Sequence, residues 1–470
     1  MLLQIFHFCR VDENGDSIFS PEMEWLRLIH VCRKWRLIIS STPRRLDLYL
    51  ICKHGTPVRK NLDLWPAFPI IIDYFNDYDG TSEISPNEDD NIIAALEHPD
   101  RVRCLKLPVT SSLLRKVATL AQEPFPTLTQ LRLEVSSKDE SVSVLPSEFL
   151  GGSAPRLQEI LLEGIPFPTL PTFLSPASDL VSLSLYRIPH TGYIPPEVMV
   201  TSLASLTRLN SLSIGFQSST SRPDQIVSIR RRAAPPTRVV LPALSSLRFR
   251  GASEYLEDLV ARIDTPRLAS IEISYFNQLV FQVPQLFRFI GRTQIIEQAM
   301  GAEVYPSPDD ISLDLLSGPA ERFRVLLALR ISCVGLDWQV SHLADVLSQS
   351  SAALSNVPSL FISERDLPPR WQGEMDDIEW LAFFRQFTAL KTLRVSDQQT
   401  GHVVHTLNNV TVEMVPEILP ALGSLILEYE PPERVEKFTT ARQLTGLPPI
   451  AMANIYVEHL SMLSPPPPKR

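Results

Sequence analysis

A chain of 470 residues, 44% apolar and 21% charged, is long enough for more than one domain and apolar enough to fold, which excludes disorder along its whole length. Its net charge is −9, from 44 basic and 53 acidic residues, so no overall positive field draws it to nucleic acid or to a membrane surface. Five scattered cysteines (Cys9, Cys32, Cys52, Cys104, Cys333) with no CxxC pair argue against a disulfide framework or a zinc cage, and fit reduced thiols in an intracellular compartment, cytoplasm or nucleus.

In chain order, MLLQIFHFCR lacks a basic start and meets Arg10 early, so it does not read as a signal peptide. No apolar run approaches the roughly 20 residues of a membrane-spanning helix. Residues 1–40 have helical spacing: Leu3, Ile5 and Phe6, then Trp25, Leu28, Ile29, Val31, Cys32, Trp35, Ile38 and Ile39. RLDLYL at 45–50 alternates like a strand, and the proline-bounded run WPAFPIIIDY predicts another. NDYDGTSEISPNEDD at 76–90 is acidic and turn-rich and reads as a loop.

From residue 96 onward one pattern, L-x-x-L-x-L with Ile, Val or Phe substitutions, recurs. It stands at Val102-Leu105-Leu107, Leu128-Leu131-Leu133, Leu157-Ile160-Leu162, Leu180-Leu183-Leu185, Leu209-Leu212-Ile214, Leu244-Leu247-Phe249 and Leu268-Ile271-Ile273. It returns at Leu326-Leu329-Ile331, Val357-Leu360-Ile362, Leu390-Leu393-Val395 and Leu422-Leu425-Leu427. Most starts lie 23 to 35 residues apart, close to the roughly 20–29 of a leucine-rich repeat. The 58-residue step from Leu268 to Leu326 fits two units, the inner one worn down to Ile311-Leu313.

A single copy would fit an amphipathic helix equally well. Eleven copies, several led by proline (PTLTQLRL, PRLQEILL, PALSSLRF, PRLASIEI, PALGSLIL), predict short strands instead, with each proline ending a preceding helix. The first apolar residue caps the turn, and the last two point into a core that only stacked repeats can bury. The asparagine or cysteine usual three positions after the pattern is absent, so the array is expected to be irregular. The segment 218–238 lengthens one repeat as a loop, and the tail SPPPPKR is expected to be extended.

The segment WLRLIHVCRKWRLIISSTPRRLDL resembles the second half of an F-box, in the form common among F-box-like proteins of mushroom-forming fungi. His30 to Arg33, Trp35-Arg36, Ile39 and Pro43 to Leu46 carry the match, and Leu3 to Phe6 is similar to the first F-box helix. HGTPVRKNLDLWPAFPIII and DNIIAALEHPDRVRCLKL are also similar to that group. The Leu-Pro pair and Glu that precede the family's first helix are not in the sequence, so the module is expected to be N-terminally incomplete.

The repeat pattern and the resemblance together predict an α/β protein. A short helical F-box-like module (1–50) is followed by a strand and acidic linker (51–95) and an irregular leucine-rich-repeat solenoid with a parallel, strand-lined inner face (96–445). A C-terminal segment with a Pro-rich tail (446–470) ends the chain. The resemblance also implies binding of a Skp-type adaptor of a cullin–RING (SCF-type) ubiquitin ligase through Leu3, Ile5, Phe6, Val31, Cys32 and Trp35, with an unknown target protein on the repeats. The alternative is a repeat scaffold with a vestigial F-box.

Signs of catalysis are missing. There is no GxG, GxxxxGK[ST], HExxH or GxSxG. His402 and His405 share a turn without a third ligand. Cys9 beside His7 or His30 reads as a structural cysteine. Arg230-Arg231-Arg232 reads as a solvated loop run. The chain is therefore read as no enzyme, with no cofactor, metal or small-molecule substrate. Residues alternating with the core pattern face the opposite side of the sheet. These are Gln130, Arg132, Glu134, Glu159, Glu163, Tyr186, Arg248, Arg250, Glu272, Arg330, Phe361 and Arg394. Among them Arg132, Tyr186, Arg248, Arg250, Arg330, Phe361 and Arg394 are the candidate partner-binding residues. The arginines 248, 250, 330 and 394 are expected to gather into a patch for an acidic or phosphorylated segment.

Overall fold

The computed structural model describes residues 30–41, 48–65, 68–75, 86–135, 143–219, 237–278, 280–293, 295–307, 309–318, 323–333, 336–349, 354–363, 377–428 and 435–455. The chain forms two compact units, 1–233 with 239–244 and 234–238 with 245–470.

In the first unit the described residues form parallel strands that pair in chain order. They are β1 (Leu50–Cys52), β2 (Ile70–Asp73), β3 (Val102–Val109), β4 (Gln130–Val135), β5 (Glu159–Glu163), β6 (Ser182–Ile188) and β7 (Ser211–Phe216). The repeat pattern sets the register. Leu105, Leu131, Ile160, Leu183 and Leu212 stand in one row, with Leu107, Leu133, Leu162, Leu185 and Ile214 in another. Both rows are buried. Slipping one strand by a residue would turn its leucines to the opposite face, which is why the register is fixed.

Helices cover the apolar side. The helix Ser111–Leu120 buries Leu113, Leu114, Val117 and Ala118 on one face, and the Thr110 hydroxyl accepts from Leu113 N at 3.3 Å to cap its start. Between β4 and β5 the described segment is a short turn of 3-10 helix, Phe149–Gly152. Gly151 there has φ +70°, and a Cβ would lie 2.8 Å from the Pro124 backbone, so only glycine fits.

The array begins before residue 96. Cys52 and Ile72 are already buried in β1 and β2. Of the loop expected over 76–90, residues 76–85 lie outside the described residues, and 86–90 instead open the helix Pro86–Leu96. Proline at its first position and Glu88 and Asp89 in its first turn favour a helix N-terminus. Of RLDLYL, only Leu50 lies in a strand among the described residues.

The second unit holds β8 (Ser246–Gly251), β9 (Ser270–Tyr275), β10 (Gly301–Pro306), β11 (Asp310–Ser317) and β12 (Arg324–Ser332). It continues with β13 (Ser359–Ile362), β14 (Thr392–Val395), β15 (Ser424–Glu428) and β16 (Ala451–Ile455). Here chain order and spatial order part. Strand β9 pairs in parallel with β12, then come β11 and β10, and β10 pairs in parallel with β13. Strand β11 runs antiparallel to both neighbours.

Ile311-Leu313 is therefore the middle of a three-strand meander rather than a worn repeat, and the sheet is not parallel throughout. The connections 307–309 and 318–323 are too short for the crossover of a dozen or more residues that parallel neighbours need. The copy at Leu326 is also shifted. Leu327, not Leu329, stands opposite Ile271.

Two glutamines hold the rearranged chain. Gln339 donates to the carbonyls of Ser307 at 2.7 Å and Cys333 at 2.9 Å. Gln349 donates to Phe281 O and accepts from Val283 N, both at 2.7 Å.

In the five proline-led copies the leading residue closes a turn. Leu128 N bonds Phe125 O, Leu157 N bonds Ala154 O, Leu244 N bonds Leu241 O, Leu268 N bonds Thr265 O and Leu422 N bonds Leu419 O. In all five the intervening proline (126, 155, 242, 266, 420) takes the second turn position, where its fixed φ belongs. Helix termination was the wrong reason for these prolines. The helix before Pro126 has already ended at Leu120, and extended residues Ile263–Asp264 precede Pro266.

Candidate protein-binding surfaces

Leu3, Ile5 and Phe6 lie outside the described residues. The VCRKWR core forms the start of helix Arg33–Ser41, whose buried side chain is Ile39. Trp35 N donates to Cys32 Sγ at 3.5 Å, so Cys32 caps the helix start and Trp35 is half-buried. Val31 is 58% exposed and Leu37 67% exposed. Leu37 was not singled out from the sequence. Its apolar character within WRLII, out of step with Ile39, is the signal that marked it.

On the first unit, strand alternation places Gln130, Arg132 and Glu134 on the face opposite the core. Arg132 donates from Nε to Glu134 Oε1 at 2.6 Å and lies over the Phe75 ring at 4.0 Å. Glu163 accepts from Arg187 at 3.3 Å, and register puts Tyr186 beside it. This face is a mixed-charge surface whose ions pair within the sheet.

On the second unit, Arg248, Glu272, Ala328, Asp314, Glu303, Phe361 and Arg394 form one row across seven strands. Arg250, Ser274 and Arg330 begin the next. The arginines do not gather into one patch. Arg248 and Arg394 stand at opposite ends of the row, and three of the four are held by carboxylates. Arg248 meets Glu272 at 3.0 Å, Arg330 meets Asp310 at 3.7 Å, and Arg394 meets Glu428 at 2.7 Å while lying over Phe361 at 4.7 Å. Arg250 lies over the Phe276 ring at 5.7 Å.

No protein-family model matches the chain, and no curated protein matches it. Among solved structures it is similar to the leucine-rich repeat-containing protein LegL7 from Legionella pneumophila, with 14% identity over 73% of this chain and 96% of that one, at a TM-score of 0.26. A score that low carries no argument, and the strands, turns and registers above decide the architecture. Within each unit the described strands form a stacked repeat with leucine-rich rows.

The repeat array holds no assembled chemistry among the described residues. Burial pushes the Cys52 thiol up to about 12 and that of Cys104 up to about 11, so neither ionises near neutral pH. His405 of HVVH bonds Asp377 at 3.0 Å, and among the described residues no three His, Cys, Asp or Glu side chains are grouped to hold a metal. Cys9, His7 and Arg230 to Arg232 lie outside the described residues. No helix among those described is long and apolar enough to cross a membrane.

Proposed function

We propose that the chain is a substrate receptor of a cullin–RING ubiquitin ligase, binding a Skp-type adaptor at its N-terminal helices and a target protein on its repeats. One observation carries the reading. A VCRKWR helix stands ahead of a leucine-rich-repeat array and leaves Val31 and Leu37 in solvent, apolar surface suited to being covered by a partner. The repeats supply what a receptor needs besides, a broad sheet face of alternating polar residues.

The test is copurification of a Skp-type adaptor with the tagged full chain. Capture should be lost in the Ile5→Asp, Val31→Asp double variant while circular dichroism stays unchanged. Retained capture would overturn the assignment of that surface. Absence of adaptor from the wild-type protein would favour the repeat scaffold with a vestigial F-box.

A further inference from the structure

We infer that a second copy of this chain binds at the open edge of β16 (Ala451–Ile455) and extends the sheet by antiparallel pairing about a two-fold axis. This surface lies within the second unit and does not depend on the adaptor reading.

Strand β16 pairs in parallel with β15 and ends the sheet among the described residues. Ala451 N donates to Gly423 O at 2.8 Å, so the backbone of Ala451 is turned toward β15, and by alternation so is that of Ala453 and Ile455. The N–H and C=O groups of Met452 and Asn454 are therefore turned to the open edge, two donors and two acceptors in a row.

Edges of this kind are normally guarded by lysine, proline, a bulge or very short length. The strand AMANI has no charged residue and no proline, and its register with β15 runs without a bulge from Ala451 to Ile455. Ala451 and Ala453 are exposed.

The edge is complementary to itself. A two-fold through Ala453 overlaps the strand with its copy along the whole length, and Met452 of each copy meets Asn454 of the other. Each such pair exchanges two N–H···O bonds. Ala453 then faces its own counterpart in the non-hydrogen-bonded pair, where the strands come closest, at roughly 4.5 Å between Cα atoms, and where a small side chain fits. In a chain of net charge −9, an uncharged strand is a place where two copies meet without like charges opposed.

The helix that leads into the strand, Glu436–Leu444, buries Phe438 and Ala441 but leaves Leu444 72% exposed, more than any other large apolar side chain among the described residues. The terminal repeat thus carries uncovered apolar surface where a repeat array needs a polar cap. The chain's own continuation suits the edge less well. Residues 456–463, YVEHLSML, hold no glycine, asparagine, aspartate or proline for a tight hairpin turn, and prolines 465–468 have no N–H to donate.

The test is sedimentation equilibrium of the full-length chain over about a hundredfold range of concentration, with amide exchange on the same samples. The edge is short beside the roughly 800 Å² per partner of a standard interface, so a weak, reversible monomer–dimer equilibrium is expected. The amides of Met452 and Asn454 should exchange more slowly as concentration rises. Ala453→Lys and Ala453→Glu set like charges across the axis from an exposed position. Each should weaken the dimer about tenfold or more, and mixing the two should restore it. A chain monomeric throughout, a dimer unchanged in both variants, or a mixture that fails to reassociate would overturn the proposal. So would a dimer that forms only when residues 456–470 are removed, because the edge would then belong to the chain's own continuation. Should either variant misfold, exchange at Met452 and Asn454 in the wild-type chain decides by itself, and rates independent of concentration would sink the idea.

Discussion

Glu257 caps a helix that is not its own. Its two carboxylate oxygens accept from Gln285 N at 2.8 Å and Leu286 N at 2.7 Å, the first turn of Pro284–Ile290. Burial pushes its pKa up to about 7, against the opposing pull of these two N–H donors. Because the folded value lies above the unfolded one, the proton stabilises the fold. That contribution is full below about 4.5 and is lost as pH rises through about 7. The shift corresponds to on the order of 3 kcal/mol. Glu257→Gln cannot titrate, so its stability to urea should fall less between pH 5 and pH 8 than that of wild type. Parallel curves for the two proteins would assign the pH dependence to other groups.

At the scale of the element, the turns before each strand face the problem that an asparagine ladder solves elsewhere, and other side chains answer it here. Thr127 Oγ1 donates to Val102 O at 2.9 Å, and Thr129 Oγ1 donates to Arg103 O at 3.1 Å. In the last turn the buried Arg442 donates to Leu419 O at 2.9 Å, Leu422 O at 3.0 Å and Pro420 O at 3.3 Å. This turn starts from Leu419, a non-glycine residue at φ 49°, so its strain has to be held by its partners. Arg442→Met keeps the packing volume and removes every donor. It should cost roughly 1–3 kcal/mol for each carbonyl left unsatisfied, measured by chemical denaturation. An unchanged midpoint would mean that water replaces the guanidinium.

For the whole molecule, stacked repeats imply that damage spreads by neighbour contacts. Leu393 is fully buried and stands between Leu360 and Leu425 in register. Leu393→Ala should cost roughly 2–5 kcal/mol. Amide exchange should accelerate first in Ser359–Ile362 and Ser424–Glu428, while Val102–Val109 and Gln130–Val135 keep wild-type protection. Uniform acceleration across both units would instead point to a single cooperative fold. The mixed charges of the sheet faces are consistent with protein recognition through shape rather than through a field of one sign.

The repeat pattern alone places strands at all eleven copies, and in the first unit it sets their register as well. All eleven pattern copies lie on or lead into strands, and Leu131, Leu183, Leu247 and Leu393 are each no more than 2% exposed, because apolar alternation has one buried solution in a stacked sheet. The turn at the proline-led leucines is marked in the sequence too, by the buried residue three places before them, such as Phe125 or Leu241. Only the tertiary structure decided the reversed order of β10 to β12, since alternation along a strand is the same whichever way its neighbour runs. It alone set Arg394 several strands away from Arg248, Arg250 and Arg330, and paired Arg248, Arg330 and Arg394 with Glu272, Asp310 and Glu428. It alone left β16 at the end of the sheet among the described residues, because alternation along a strand carries no mark of whether another strand lies beside it.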